Sequence, residues 1–260
     1  MPRPVPSLPL SSGKVESFIS ERAKSGTLLA ALIDPEDFTP SQAAATARKA
    51  TRAGASLIMV GGSTISNQDR LDKVVVAIKK AVTSHVVLFP GNITGVSHHA
   101  DAILFSSLLN STNPYFIVGA QALGAMEVYR SKIESIPMGY LVFGDGSTTS
   151  FIGQVNPLPR SKPGLAVIYA LAAQYLGMRS LYLEAGSGSS EPVPPETISM
   201  VRRFYSGILI VGGGITSPKA ASRASAAGAT ILVVGNLLQE KGWEKELQGL
   251  ARVLSAPKRS

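Results

Sequence analysis

One local design recurs along this chain: a helix closed by glycine, then a run of β-forming residues that itself ends in glycine. Thr39–Pro40 opens such a unit, Ala53–Gly54–Ala55 closes its helix, and Ser56–Leu57–Ile58–Met59–Val60–Gly61–Gly62–Ser63 follows as strand. Ser217–Pro218, Ala227–Gly228–Ala229 and the strand from Thr230 to Asn236 repeat it. A further copy keeps only the close, Tyr175–Leu176–Gly177–Met178, and its strand Ser180–Leu181–Tyr182–Leu183–Glu184–Ala185–Gly186. The hydroxyl is a helix N-cap, proline takes the first helical position, and glycine ends the helix. Apolar strands alternating with helices require a parallel sheet covered on both faces, closed as a barrel or doubly wound.

Strands are expected near 28–34, 57–61, 86–89, 102–106, 139–143, 180–184, 208–211 and 231–234. Helices are expected at about 14–25, 39–53, 67–82, 114–131, 163–177, 195–204, 217–227 and 240–254. Eight strands make this an α/β chain of the TIM (β/α)8 barrel class. The first helix precedes the first strand, however, so one unit lacks its helix. The gap falls between strands three and four, where Gly91 to Asp101 holds two glycines and two histidines and barely spans a helical turn. A barrel modified in this way, lacking a full helix there, has a groove on its flank that could take something long.

Length and composition suit one catalytic barrel domain over residues 14–256: 260 residues, 45% hydrophobic. Residues 1–13, with prolines at 2, 4, 6 and 9, read as a flexible arm. No apolar run approaches the roughly 20 residues of a membrane span. There is no cysteine, which excludes disulfides and thiolate metal sites and permits a reducing, cytoplasmic location. The formal charge of +8 suits anionic small molecules or a membrane surface. The basic residues are scattered without interleaved aromatics, so nucleic acid is not expected as a partner.

Two segments near the C-terminus suggest a ligand: Ile208–Leu209–Ile210–Val211–Gly212–Gly213–Gly214–Ile215 and Ile231–Leu232–Val233–Val234–Gly235–Asn236. Strand tips rich in glycine after strands seven and eight form the phosphate cradle of many barrels. Neither segment contains Lys or Arg, so phosphate would be bound through backbone amides and helix dipoles. The plainer reading is two buried strands with glycine turns. If the cradle is real, a bulky residue at Gly213 or Gly235 should block it or force an unfavourable φ.

Asp34 in Asp34–Pro35–Glu36–Asp37 ends the first strand, at the face where barrel enzymes keep their sites. It is either part of a polar turn or a ligand for Mg2+, a hard cation that shares carboxylates with substrate phosphates. Ser63 caps the next helix or completes that metal shell. Tyr182 and Glu184 share one side of strand six, and an acid inside a barrel is costly unless it is used. His98 and His99 are adjacent and diverge, as surface residues do. Asp145 lies in a strong turn sequence but could be catalytic. No lysine ends a strand, which argues against a Schiff-base aldolase.

Leu32–Ile33–Asp34–Pro35, Val60–Gly61–Gly62–Ser63, Tyr182–Leu183–Glu184–Ala185–Gly186–Ser187–Gly188, Val211–Gly212–Gly213–Gly214–Ile215 and Val234–Gly235–Asn236 together resemble the geranylgeranylglyceryl phosphate synthase family, in order from about residue 14 to 254. The resemblance implies a modified barrel that joins sn-glycerol 1-phosphate to an all-trans prenyl diphosphate, geranylgeranyl diphosphate in archaeal ether-lipid synthesis. It places Mg2+ on Asp34 and Ser63. It places glycerol phosphate on Tyr182, Leu183, Glu184, Ala185, Gly186, Ser187 and Gly188, on Gly213 and Gly214, and on Gly235 and Asn236. Family members often carry threonine where this chain has Asn236. Glu184 and Tyr182 would be catalytic and the tail would lie in the flank groove. A homo-oligomer and peripheral membrane contact are expected partners. The competing readings are a metal-independent phosphosugar isomerase using Asp34 and Asp145, and a non-enzymatic basic module that binds phosphoinositide or nucleic acid.

Overall fold

The structure, a computed structural model, describes residues 12–62, 67–144, 146–189 and 191–255. Its eight strands are β1 (Leu28–Ile33), β2 (Leu57–Val60), β3 (His85–Leu88), β4 (Ala102–Leu108), β5 (Glu134–Val142), β6 (Ser180–Glu184), β7 (Ile208–Gly212) and β8 (Ile231–Val234). Each is parallel to its neighbour, and β8 pairs with β1 to close the barrel. The helices are α1 (Lys14–Ala23), α2 (Pro40–Arg52), α3 (Gln68–Ala81), α4 (Ala120–Ser131), α5 (Thr148–Ile152), α6 (Pro163–Tyr175), α7 (Pro195–Phe204), α8 (Pro218–Ala226) and α9 (Trp243–Leu254).

The caps read from sequence are present. Thr39 and Gln42 form a reciprocal capping box at α2, and the Ser217 hydroxyl accepts the Ala220 N–H at 3.2 Å at α8. Side chains alternate across every strand. Leu29, Ala31, Ile58, Leu181, Leu183 and Leu209 pack outward against the helices. Leu28, Ala30, Leu57, Met59, Met138, Tyr182 and Ile210 fill the barrel. Val15 and Ile19 of α1 join that inner cluster, so the helix before the first strand stoppers the barrel floor. The Glu134 carboxylate caps α1 through the N–H groups of Val15 and Glu16, and Glu16 is paired with Arg179 at 2.9 Å.

Only a 3-10 turn, Ile93–Gly95, stands between β3 and β4, as the count required. Three differences from expectation matter. β5 begins at Glu134 instead of 139, because the polar start Glu134–Ser135 carries no apolar signal yet pairs with β4. A π-turn, Tyr115–Gly119, leads into α4. The short α5 is unforeseen, since five residues are too few for a helical period to show. Of the N-terminal arm only Ser12 and Gly13 lie within the described residues. Among the described residues no helix is long and apolar enough to cross a membrane.

Candidate active site

One cavity of about 540 Å³ joins the barrel mouth to its open flank. Asp34, Gly62, Tyr182, Glu184, Ser187, Gly188, Gly213, Gly214, Gly235 and Asn236 line the mouth; the flank is walled by Phe89, Ile93, Ile103, Phe105, Gly124 and Val128. Ile103 and Phe105 point outward from β4, and Gly124 and Val128 face them from α4. The groove therefore occupies the place of the missing helix.

Glu184 ends β6 and turns into the barrel beside Tyr182, while Leu183 and Ala185 turn into the helical layer and do not line the cavity. That layer is where strand alternation puts them, so any ligand contact from these two is through backbone. Glu184 is 7% exposed. Its Oε1 accepts the Gly186 N–H at 2.7 Å, and the Tyr182 hydroxyl donates to its carboxylate. Burial dominates over these two bonds and pushes the carboxyl up to about 7. Burial, followed by the charge of Glu184, pushes both Tyr182 and Tyr140 well above the usual phenol range, so each keeps its proton. Tyr140 is the register partner of Tyr182 on β5 and is bonded to the Thr149 side chain of α5. Phe89 stacks on Tyr182 with centroids 5.0 Å apart, and Tyr140 meets Tyr182 edge-on at 5.1 Å. This aromatic trio stands where the mouth meets the groove.

Two glycines let these groups sit where they do. A Cβ on Gly212 would run into the Tyr182 hydroxyl. Gly213 has φ +79°, and a Cβ there would lie 2.5 Å from Glu184 Oε1. Gly235 differs from Gly213 in its backbone: its φ is −123°, so the expected φ strain does not apply there, and an added Cβ would make only ordinary protein contacts, at 3.7 Å, with Leu32.

The N–H groups of Ser187, Gly188, Gly213, Gly214 and Asn236 donate to no acceptor among the described residues. They ring the mouth as a set of free donors suited to an anion. The dipole expected beyond strand eight is reduced to one 3-10 turn, Asn236–Gln239, since α9 begins only at Trp243. The Ser187 hydroxyl donates to Asn236 Oδ1 at 3.3 Å, tying the β6 loop to the end of β8. Arg160 braces that loop by donating to the carbonyls of Pro192 at 2.7 Å and Glu191 at 3.0 Å and to the Ser189 hydroxyl at 3.2 Å.

Across the mouth, Asp34 Oδ1 accepts the Glu36 N–H at 2.9 Å. Burial above all, with the charges of Asp37 and Glu36, raises its pKa against the lowering effect of that bond and of Arg70. Arg70 fixes the loop by donating to the carbonyls of Pro35 and Glu36 at 2.6 and 2.8 Å. Gly62 must be glycine here, because a Cβ would overlap the Asp34 carboxylate. Among the described residues no group of three or more His, Cys, Asp or Glu side chains is placed to hold a metal. The donor set fits Mg2+ only in the form that takes one carboxylate and completes its shell with substrate phosphates and water. Ser63 and Asp145 lie outside the described residues. His98 is paired with Glu127 at 2.6 Å on the surface and is not part of the mouth.

Sequence reasoning missed Phe89, Tyr140, Thr149, Gly212 and Arg160. Tyr140 was within reach, because it shares the inward alternation of Met138 and Val142. Phe89, Thr149 and Arg160 depend on packing between segments distant in the chain, and Gly212 on the β6–β7 pairing that sets it beside Tyr182.

Residues 21–254 match the PcrB family. The chain belongs to that family. It is 51% identical over 233 residues to the geranylgeranylglyceryl phosphate synthase of Thermococcus gammatolerans, covering 90% of this chain and 92% of that one. It is 51% identical over 245 residues to the enzyme of the same name from Cenarchaeum symbiosum, covering 94% and 98%. A crystal structure of (S)-3-O-geranylgeranylglyceryl phosphate synthase from Thermoplasma acidophilum, in complex with sn-glycerol-1-phosphate, superposes with a TM-score of 0.90 at 37% identity, over 94% of this chain and 99% of that one. The resemblance read from the strand-tip motifs thus extends across the whole PcrB barrel.

Proposed function

We propose that this PcrB-family chain is a prenyltransferase that joins sn-glycerol 1-phosphate to geranylgeranyl diphosphate, giving geranylgeranylglyceryl phosphate and diphosphate, the first ether bond of archaeal membrane lipids. The observation that carries this reading is the continuity of the cavity: free amides and a buried carboxylate at one end, a long apolar groove at the other. The amides of Ser187, Gly188, Gly213, Gly214 and Asn236 would hold the phosphate. Glu184, half ionised near neutral pH, accepts the proton of the free primary hydroxyl as its oxygen bonds to C1 of the prenyl group. The C1–O bond to diphosphate breaks with its electron pair leaving on diphosphate. Tyr182 stays protonated and holds the carboxylate in place. Mg2+ held by Asp34, with Ser63, would neutralise the departing diphosphate. Positioning of the two substrates in one cavity contributes most of the remaining acceleration.

The isomerase alternative has no use for an apolar groove at the flank. A homo-oligomer belongs to the proposal as well, with the exposed apolar face of α6, around Ile168 and Tyr175, as the surface a second copy would cover. The deciding experiment offers prenyl diphosphates of several lengths with sn-glycerol 1-phosphate or its 3-phosphate enantiomer, with and without EDTA. Ether product from the 1-phosphate alone, abolished by chelation, is expected. Turnover that needs no prenyl diphosphate and survives EDTA would return the case to an isomerase.

A further inference from the structure

α4 presents its two faces to different surroundings. Its inner face, with Gly124 and Val128, is the wall of the flank groove. Its outer face is not polar, as a solvent-exposed helix face ordinarily is. At 100° per residue Leu123, Met126 and Arg130 fall within one narrow arc, and Tyr129 and the preceding Val118 extend it. Leu123 is 67% exposed, Met126 57% and Val118 62%. That half of the helix holds no Asp or Glu; the acid of α4, Glu127, turns aside to His98. The face ends in Arg130, and Lys132 follows just past the helix end; both are exposed. Two residues mark where the groove opens, because they line the cavity and also reach the surface: Ile93 and Ile152. Phe151, the neighbour of Ile152, is 86% exposed.

We propose that the outer face of α4 docks on an anionic lipid bilayer, and that the prenyl substrate passes from that bilayer into the groove behind the same helix. The proposal rests on reading the groove as the prenyl site. An apolar stripe ending in Arg130, with Lys132 just past the helix, on a chain with formal charge +8, is the composition of a helix that lies in a membrane interface. Continuity argues for the same occupant, since one helix forms both the exposed face and the groove wall. The apolar face of α6 differs on both counts, for it carries no charged residue and does not border the cavity. A lipid tail moving from bilayer to groove along α4 would never be fully exposed to water.

The test uses the full chain and co-sedimentation with vesicles of phosphatidylcholine, with and without phosphatidylglycerol. The unmodified chain should bind the anionic vesicles. The pair Leu123→Ser and Met126→Ser should weaken that binding by about tenfold or more. Arg130→Glu should weaken it by about fivefold and remove the preference for phosphatidylglycerol. Turnover of a short, water-soluble prenyl diphosphate in vesicle-free buffer should be unchanged in every variant, since none of these side chains touches the cavity. Binding that is absent, or unaltered by the variants, overturns the docking proposal while normal soluble turnover leaves the prenyltransferase reading intact. Loss of assembly size in the serine pair, with vesicle binding retained, overturns it by showing that the face joins two copies. Vesicle binding as expected, in a chain with no prenyl transfer, supports the docking surface and removes the catalytic reading instead.

Discussion

The two ends of the cavity are built by opposite means. At the mouth, atoms are held by close approach: Gly62, Gly212 and Gly213 have no room for a Cβ because Asp34, Tyr182 and Glu184 occupy it. At the flank, space is made by leaving a helix out, and the α4 wall has room at Gly124. A Cβ on Gly124 would meet nothing nearer than Ile93 Cγ2, at 3.8 Å. The mouth should therefore tolerate almost no change in shape, and the flank should tolerate change by altering what fits. On the proposed reading, one end fixes the chemistry and the other selects the substrate.

The largest expected effect is at the mouth and is chemical. Glu184→Gln keeps the shape and the Gly186 bond but cannot take a proton, so turnover should fall by about a hundredfold or more while glycerol-phosphate binding persists. In the unmodified enzyme, kcat/KM should rise with pH through about 7 and then level, because only the ionised carboxylate can accept the proton that the proposed reaction releases. A flat pH profile with near-normal turnover in the Gln variant would remove Glu184 from the chemistry.

The next effect is steric and separates two glycines that look alike in sequence. Gly213→Val forces a β-branched residue to φ +79° and drives it against Glu184, so glycerol-phosphate binding should fall by well over tenfold. Gly235→Ala, at φ −123° with room for a methyl group, should bind glycerol phosphate within about threefold of normal. Calorimetric titration of both variants decides it. Equal losses would mean that the cradle depends on glycine for a reason other than these contacts. Asp34→Asn is the counterpart on the other side of the mouth and should weaken prenyl diphosphate while sparing glycerol phosphate.

That contrast also shows how far the sequence could be read. The strands were legible because parallel strands buried on both faces leave unbroken apolar runs, and the helix starts because Thr39 and Ser217 cap in the usual way. Tyr182 and Glu184 were legible because alternation is strict within one strand. The groove followed from a missing helix, an absence that counting can find. Tyr140 required the β5–β6 register, and Arg160 required the course of a loop, neither of which is encoded locally. Gly213 and Gly235 share a strand-tip pattern yet differ in φ by tertiary packing alone, so no motif could have told them apart.

The smallest effects test whether the two ends are independent. Gly124→Leu places a larger side chain on the groove wall without touching Glu184 or the amides, so it should cut kcat/KM for long prenyl diphosphates by about tenfold and leave a short one nearly unchanged.

Stability offers a last contrast, measured without substrate. Glu184 ionises near 4.5 in the unfolded chain and at about 7 in the folded one, so the folded state holds the proton more tightly between those values. Its stability should fall as pH rises from 4.5 to 7 and change no further above that, a penalty of about 3 kcal/mol from this residue. Glu184→Gln abolishes the penalty, so the inactive variant should be the more stable protein at pH 8 and lose that advantage by pH 4. Gly124→Leu alters no buried charge and should shift stability equally at both pH values. Urea unfolding of the three proteins at the two pH values measures this. If the Gln variant gains nothing at pH 8, Glu184 is better solvated or better paired than its surroundings indicate, and the mouth does not store the electrostatic strain that its chemistry would use.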